Sequence, residues 1–122
     1  MIAVLFEVEP EPGAEDTYLD LAASMRPLLE EVEGFVSVER FRSLARPNVL
    51  LSLSFFEDEA AVQRWRNLAA HRRVQAEGRS GIFARYRLRV ASVLRDYGLH
   101  DREEAPNDSR AAHALPTTGS AR

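Results

Sequence analysis

Hydrophobic and polar residues alternate over Met1–Glu9 (MIAVLFEVE), placing Ile2, Val4, Phe6 and Val8 on one face of a strand. The other face begins apolar with Ala3 and Leu5 and turns to Glu7 and Glu9, and Pro10, Pro12 and Gly13 end the strand. From Ala14 to Val32 the period becomes helical, with Tyr18, Leu21, Ala22, Met25, Leu28, Leu29 and Val32 on one stripe. Pro27 removes a backbone donor inside this stretch and is expected to kink or divide the helix near Arg26. Gly34 stops it. Phe35–Arg42 (FVSVERFR) and Val49–Phe56 (VLLSLSFF) flank a turn at Arg46-Pro47-Asn48 and read as a hairpin. Asp58 is the expected N-cap of a second helix running from about Glu59 to Glu77 and closed by Gly78. A last strand follows, Phe83–Leu94 (FARYRLRVASVL).

The order β-α-β-β-α-β predicts an α+β fold of ferredoxin-like type, an antiparallel sheet with both helices on one face. One domain over residues 1–98 accounts for these elements. The remainder, 99–122, is polar and without periodicity; from His100 onward its one large aliphatic residue is Leu115, and it is expected to be a flexible tail. The strands carry apolar residues on both faces: Leu51, Leu53 and Phe55 oppose Leu50 and Phe56, for instance. Helices cover one face only, so a second copy of the sheet is the simplest cover for the other, and a homodimer is expected. On the last strand Tyr86, Leu88 and Val90 share one face while Arg85, Arg87 and Arg89 share the other, where Glu7 and Glu9 can pair with them.

Composition narrows the chemistry. The chain has 122 residues, enough for a single two-layer core. No apolar run is long enough to span a bilayer, and no basic segment followed by an apolar one opens the chain, so neither a membrane span nor a signal peptide is expected. The absence of cysteine excludes disulfides and thiolate metal sites and fits a cytoplasmic address. All 16 basic residues are arginine, which excludes Schiff-base lysine chemistry and a P-loop. Residues 64–95 hold nine arginines and one acid, but the first third is acidic and no aromatic–basic signature appears, so nucleic acid is not an expected partner. No G-x-S-x-G elbow or dinucleotide fingerprint occurs, and one histidine within the folded part does not make a dedicated metal site.

That histidine lies in RWRNLAAHRRVQ beside the only tryptophan. His71 follows Trp65 by six positions, about 240° round an unbroken helix, so the rings share a face only if the helix breaks, and Asn67 is the candidate break. Trp65 suits either core packing or the wall of a pocket for a flat ligand. His71 suits an exposed or capping role, a general base, or a ligand to haem iron.

The leading MIAVLFEVEPEPG, the GFVSVERF, the LLSLSFFEDEAAVQRWR and the HRRVQAEGR followed by FARYRLRVASVLRDYG resemble the antibiotic biosynthesis monooxygenase family over about residues 1–98. The resemblance implies a dimeric α+β barrel, two ferredoxin-like sheets face to face, each subunit with a pocket between sheet and helices. It implies one of several activities: cofactor-free oxidation of phenolic or anthrone-type aromatics to quinones, haem degradation, or clearance of quinones or signalling molecules. It also implies that Trp65 lines the pocket, and that a basic residue near Arg85 stabilises the substrate oxyanion, a role a guanidinium fits; the alternation allows instead that Arg85 belongs to a surface salt ladder. The chain departs from the haem-degrading pattern, with Phe6-Glu7 and Gln75 where an asparagine and a histidine are usual. It departs from the quinone-forming pattern at Ala61, where an asparagine is usual, and at His71 itself, near a usual tyrosine.

The expected function is therefore a cofactor-independent oxygenase that uses O₂ to turn an electron-rich aromatic (a phenol, hydroquinone or anthrone) into a quinone. His71 is the expected base, Arg85 the counter-charge and Trp65 the third catalytic residue, with Phe55, Phe56, Asn67, Tyr18 and Phe83 contacting substrate. The alternatives are a haem-binding or haem-degrading protein with His71 on the iron, a non-catalytic ligand-binding dimer, and a cofactor-free isomerase or decarboxylase.

Overall fold

The computed structural model describes residues 1–68, 71–73, 76 and 81–113. They fall into two compact units, Met1–Ser92 and Val93–Arg122. The first contains β1 (Ile2–Pro10), α1 (Glu15–Glu30), β2 (Phe35–Arg42), β3 (Leu50–Phe56), α2 (Glu59–Arg66) and β4 (Phe83–Ser92). The strands form one antiparallel sheet in the order β2-β3-β1-β4, the α+β, ferredoxin-like arrangement that the element order predicts. No helix among the described residues is long and apolar enough to cross a membrane.

The even-numbered side of β1 and β3 meets the helices. Val38, Phe56, Leu29, Ala61 and Val62 make one buried cluster, and Val8, Leu50 and Tyr18 make another. Tyr18, Ala22, Met25 and Leu29 are the buried stripe of α1, spaced so that they fall on one side of a 3.6-residue helix. Leu28, placed on that stripe by the sequence reading, is exposed. Asp58 caps α2 with a side-chain oxygen that accepts from the Ala61 N–H at 2.9 Å.

Three expectations need correction. First, α1 is one continuous helix through Pro27 and is not divided near Arg26. Pro27 and Ala23, whose carbonyl loses its partner, both lie on the exposed side of α1, where water can satisfy the freed group. Second, strict alternation fails in β2. Phe35 pairs with Phe56 and Ser37 with Phe55, so Val36 is an extra residue bulged out of the ladder. Phe35 consequently packs on the helix side with Val38 rather than opposite it. Third, α2 ends at Arg66; of the longer helix expected through Glu77 and Gly78, several positions, Gln75 among them, lie outside the described residues.

The other face of the sheet carries Leu5, Leu51, Leu53 and Phe55, all partly exposed, beside an ionic ladder. Glu7 pairs with Arg89 at 3.2 Å and with Arg46 at 3.1 Å, and Glu9 pairs with Arg85 at 3.4 Å. In the second unit a short helix, α3 (Asn107–His113), forms where the sequence shows no periodicity. Arg102 stacks over the Tyr97 ring at 5.2 Å and donates to the Gly98 carbonyl at 3.1 Å. Residues 114–122, the end of the expected tail, lie outside the described residues.

Candidate functional site

The helices do not close completely onto the sheet, and a cavity of about 250 Å³ remains between them. Its floor is set by register. One row across the sheet runs Arg40, Ser52, Phe6, Leu88, and the next runs Val38, Ser54, Val4, Val90. Leu21, Met25 and Leu29 of α1 and Val62 of α2 supply the apolar roof. On the β4 side the wall is thin: Tyr86, Leu88 and Val90 remain 47%, 50% and 48% exposed.

Four aromatic rings bound one end. Phe6 lies 5.6 Å from Phe83, 5.5 Å from Tyr86 and 6.5 Å from Tyr18, and Phe83 meets Tyr18 edge-on at 5.9 Å. Phe83 and Tyr86 differ in parity, yet both face inward. Glu9 pairs with Arg85 and Pro10 with Phe83, so Ala84 is an extra residue that turns Phe83 back to the helix side.

Trp65 and His71 also line the cavity. Helix α2 stops at Asn67, whose backbone N–H donates to the Gln63 carbonyl at 3.0 Å and whose side-chain oxygen accepts from Arg72. The break cancels the angular offset of an unbroken helix and brings the rings together, with centroids 4.5 Å apart and planes inclined by 36°. The Nδ1 atom of His71 is buried with no hydrogen-bond partner among the described residues. Burial holds the imidazole below its ordinary range, partly opposed by a hydrogen bond to the Arg66 backbone and reinforced by the Arg72 charge. A neutral ring with an unused nitrogen can accept a proton from a molecule placed beside it.

The structure thus brings together four of the residues singled out from the sequence: Trp65, His71, Tyr18 and Phe83. The other four stand elsewhere. Arg85 is on the opposite face of the sheet, its side chain 79% exposed and paired with Glu9, so the counter-charge expected of it does not reach this cavity. Phe55 shares that outer face, because it alternates with Phe56. Phe56 is 1% exposed and fills the core rather than the cavity wall. Asn67 acts as the helix cap. The cations that do line the cavity are Arg26, Arg40 and Arg66, none of which the sequence reading singled out. Arg40 carried a usable signal: it shares parity with Val38, the helix-facing side of β2, where an apolar residue is the rule. Among the described residues no cluster of three or more histidine, aspartate or glutamate side chains could hold a metal ion.

The fold of this chain has many solved counterparts, and the family model for antibiotic biosynthesis monooxygenases matches residues 1–77. The chain belongs to the antibiotic biosynthesis monooxygenase family. A relative from Pyricularia oryzae, named jasmonate monooxygenase, is 47% identical over 93 residues, covering 76% of this chain and 43% of its own length. This chain therefore spans less than half of that relative. Among solved structures, a Deinococcus radiodurans protein described as a member of the family aligns with TM-score 0.73 at 8% identity, over 81% of this chain and 98% of that one. A Mycobacterium tuberculosis protein aligns with TM-score 0.71 at 16% identity, over 80% and 98%. At such identities the structural matches speak for the fold alone.

Proposed function

We propose that the chain is a monooxygenase that oxidises a small ring compound in the cavity beside Trp65, with His71 as the base and no bound cofactor. The observation that carries the reading is the buried Nδ1 of a neutral His71, without a hydrogen-bond partner among the described residues, set against Trp65 on the wall of the cavity. For an anthrone-like substrate the steps balance without an outside reductant. His71 takes one proton from the acidic CH₂; the resulting carbanion gives an electron to O₂; the radical pair joins as a C–O bond to form a peroxide. Loss of water then breaks the O–O bond and leaves a C=O. One oxygen atom ends in the product and one in water, and the substrate carbon supplies all four electrons. A dry site keeps the carbanion from being reprotonated by solvent and strengthens its interaction with nearby donors. General-base help of this kind contributes roughly 10²–10⁴ in rate.

The size of the cavity favours a small substrate over haem: about 250 Å³ lies below the usual 300–1,000 Å³ range for drug-sized ligands. The Pyricularia relative's name favours a second substrate class for the same cavity, a small alicyclic keto acid of the jasmonate kind, whose ring protons beside the ketone are also open to a base.

We also infer a homodimer. Leu5, Leu51, Leu53 and Phe55 lie on the sheet face away from α1 and α2, and a second copy of the same face would bury them. The deciding assay is oxygen uptake with a panel of anthrones, hydroquinones and cyclic keto acids. Uptake with at least one substrate that drops about 100-fold or more in His71→Ala supports the reading. Equal uptake by both proteins removes His71 from the mechanism, and no uptake with any substrate removes the oxygenase.

A further inference from the structure

The arginines of this chain are unequally provided for. On the outer face Arg85, Arg89 and Arg46 all meet Glu7 or Glu9, and at the end of β2 Arg42 makes a two-pronged pair with Glu15 at 3.0 and 2.6 Å. These pairs are exposed, where an arginine needs a partner least. Arg40, on the cavity floor, is the reverse case. Its Nε is buried with no hydrogen-bond partner, and its guanidinium pairs with no carboxylate among the described residues. A buried donor on a charged group left unpaired is costly, and such a group in a native fold calls for an occupant. Among the described residues none that lines the cavity is acidic, while Arg26, Arg40 and Arg66 all line it. The site therefore carries positive charge, with no partner for Arg40 among the described residues.

What surrounds Arg40 specifies the shape of that occupant. Ser52 sits directly opposite on β3, which puts its hydroxyl on the same face within about 5 Å between Cβ atoms. Ser54 is one step along the same strand face. From α1, Arg26 reaches over to the Val38 carbonyl at 3.4 Å, two residues from Arg40, while its Nε holds Glu30 at 3.1 Å. Beyond this polar corner the walls are aliphatic and aromatic: Val4, Phe6, Met25, Leu88 and Val90.

We propose that Arg40, with Ser52 beside it and Arg26 above, forms a carboxylate-binding subsite that anchors the acid group of a small apolar acid in the cavity. A planar guanidinium offers two parallel N–H donors to the two oxygens of a carboxylate, and serine hydroxyls complete the shell. The inference rests on the cavity being the substrate site and deepens that reading from a small ring compound to an apolar ring carrying a carboxylate. The charged end fixes which edge of the ring is presented to the rest of the cavity.

The test is binding, read without turnover. Trp65 is the sole tryptophan and lies on the cavity wall, so its fluorescence reports occupancy of this site. The whole chain is titrated with cyclohexylacetate and with its primary amide, which has the same shape and no charge. Wild type is expected to bind the acid about tenfold or more tightly than the amide, and Arg40→Gln to abolish the preference while the amide affinity stays within about twofold. Arg40→Lys, which keeps stem and charge and serves if the glutamine variant does not fold, is expected to lose part of the preference. Equal affinity of wild type for acid and amide, no binding of the acid, or an undiminished preference in the Arg40 variants overturns the subsite. The two readings fail separately. Acid binding through Arg40 with no oxygen uptake by any substrate removes the oxygenase and leaves the subsite; oxygen uptake with neutral phenols and no acid preference removes the subsite alone.

Discussion

A Cβ atom built on Gly34 would lie 2.6 Å from the Cβ of Ala61. The loop that follows α1 is seated directly on the first turn of α2, and the Gly34 carbonyl accepts the Glu57 N–H at 2.7 Å just ahead of the Asp58 cap. Gly34 also has φ +91°, a region that costs other residues energy. Ala61 is fully buried and cannot step aside. Gly34→Ala is expected to cost about 2–4 kcal/mol, the sum of a left-handed backbone and an overpacked contact, read as a lower urea midpoint with an unchanged slope.

His71 makes the pH dependence specific. Its folded-state pKa is lowered chiefly by burial, so the neutral base is already the main form at the ordinary imidazole value of 6.5. Turnover at low substrate is expected to be flat above about pH 6.5 and to fall as pH drops through the depressed value. His71→Gln should lose that acid limb along with most of the rate. The same shift has a stability counterpart. The unfolded chain binds the proton more readily than the folded one, so the contribution is complete above the unfolded pKa and is lost as pH falls through the folded one. Urea titrations at neutral and mildly acidic pH should show wild type losing more stability than His71→Gln across that interval.

Phe55 and Phe56 are neighbours with opposite duties. Phe56→Ala removes a 1%-exposed ring from the core and is expected to cost about 3–5 kcal/mol of folding stability. Phe55→Glu places a charge on the face inferred to join two copies. Light scattering should then find single subunits where wild type gives dimers, with the strand and helix signals of circular dichroism retained. A Phe55→Glu protein that stays dimeric would place the subunit contact elsewhere.

Arg85→Ala is expected to leave oxygen uptake within about twofold and stability within about 1 kcal/mol, because the arginine sits in an exposed pair with Glu9 on the far side of the sheet. A 100-fold loss of rate would return that arginine to the chemistry.

The fold was legible because its periods are clean. FVSVERFR is rich in β-formers and bounded by Gly34 and the Arg46-Pro47-Asn48 turn, and β2 occupies that span, Phe35–Arg42. The ladder of Glu7 and Glu9 against Arg85 and Arg89 followed from alternation alone. The misreadings have local physical causes. Pro27 is tolerated because the Ala23 carbonyl that it frees lies on the side of α1 that faces solvent. The bulged residues Val36 and Ala84 are neither glycine nor proline, and Pro10, across from the Ala84 bulge, marks an end of strand as readily as a bulge, so the inward turns of Phe35 and Phe83 became visible only in the register. Alternation could place Arg85 with Arg87 and Arg89, but not tell which face held a cavity; that required knowing where α1 and α2 lie. Trp65 and His71 met because Asn67 ends the helix, a break the sequence suggested without giving its angle.

The extra residue at Val36 has a genetic consequence. Deleting it would force the ladder either to slide β2 by one place or to rotate Phe35 out to the far side, since each single step along a strand exchanges inside for outside. A slide would swing Arg40 off the floor and bring Glu39 or Phe41 in its stead. Point substitutions can therefore tune what the hollow accepts without disturbing the outer surface, whereas one-codon insertions or deletions in this hairpin would alter both at once.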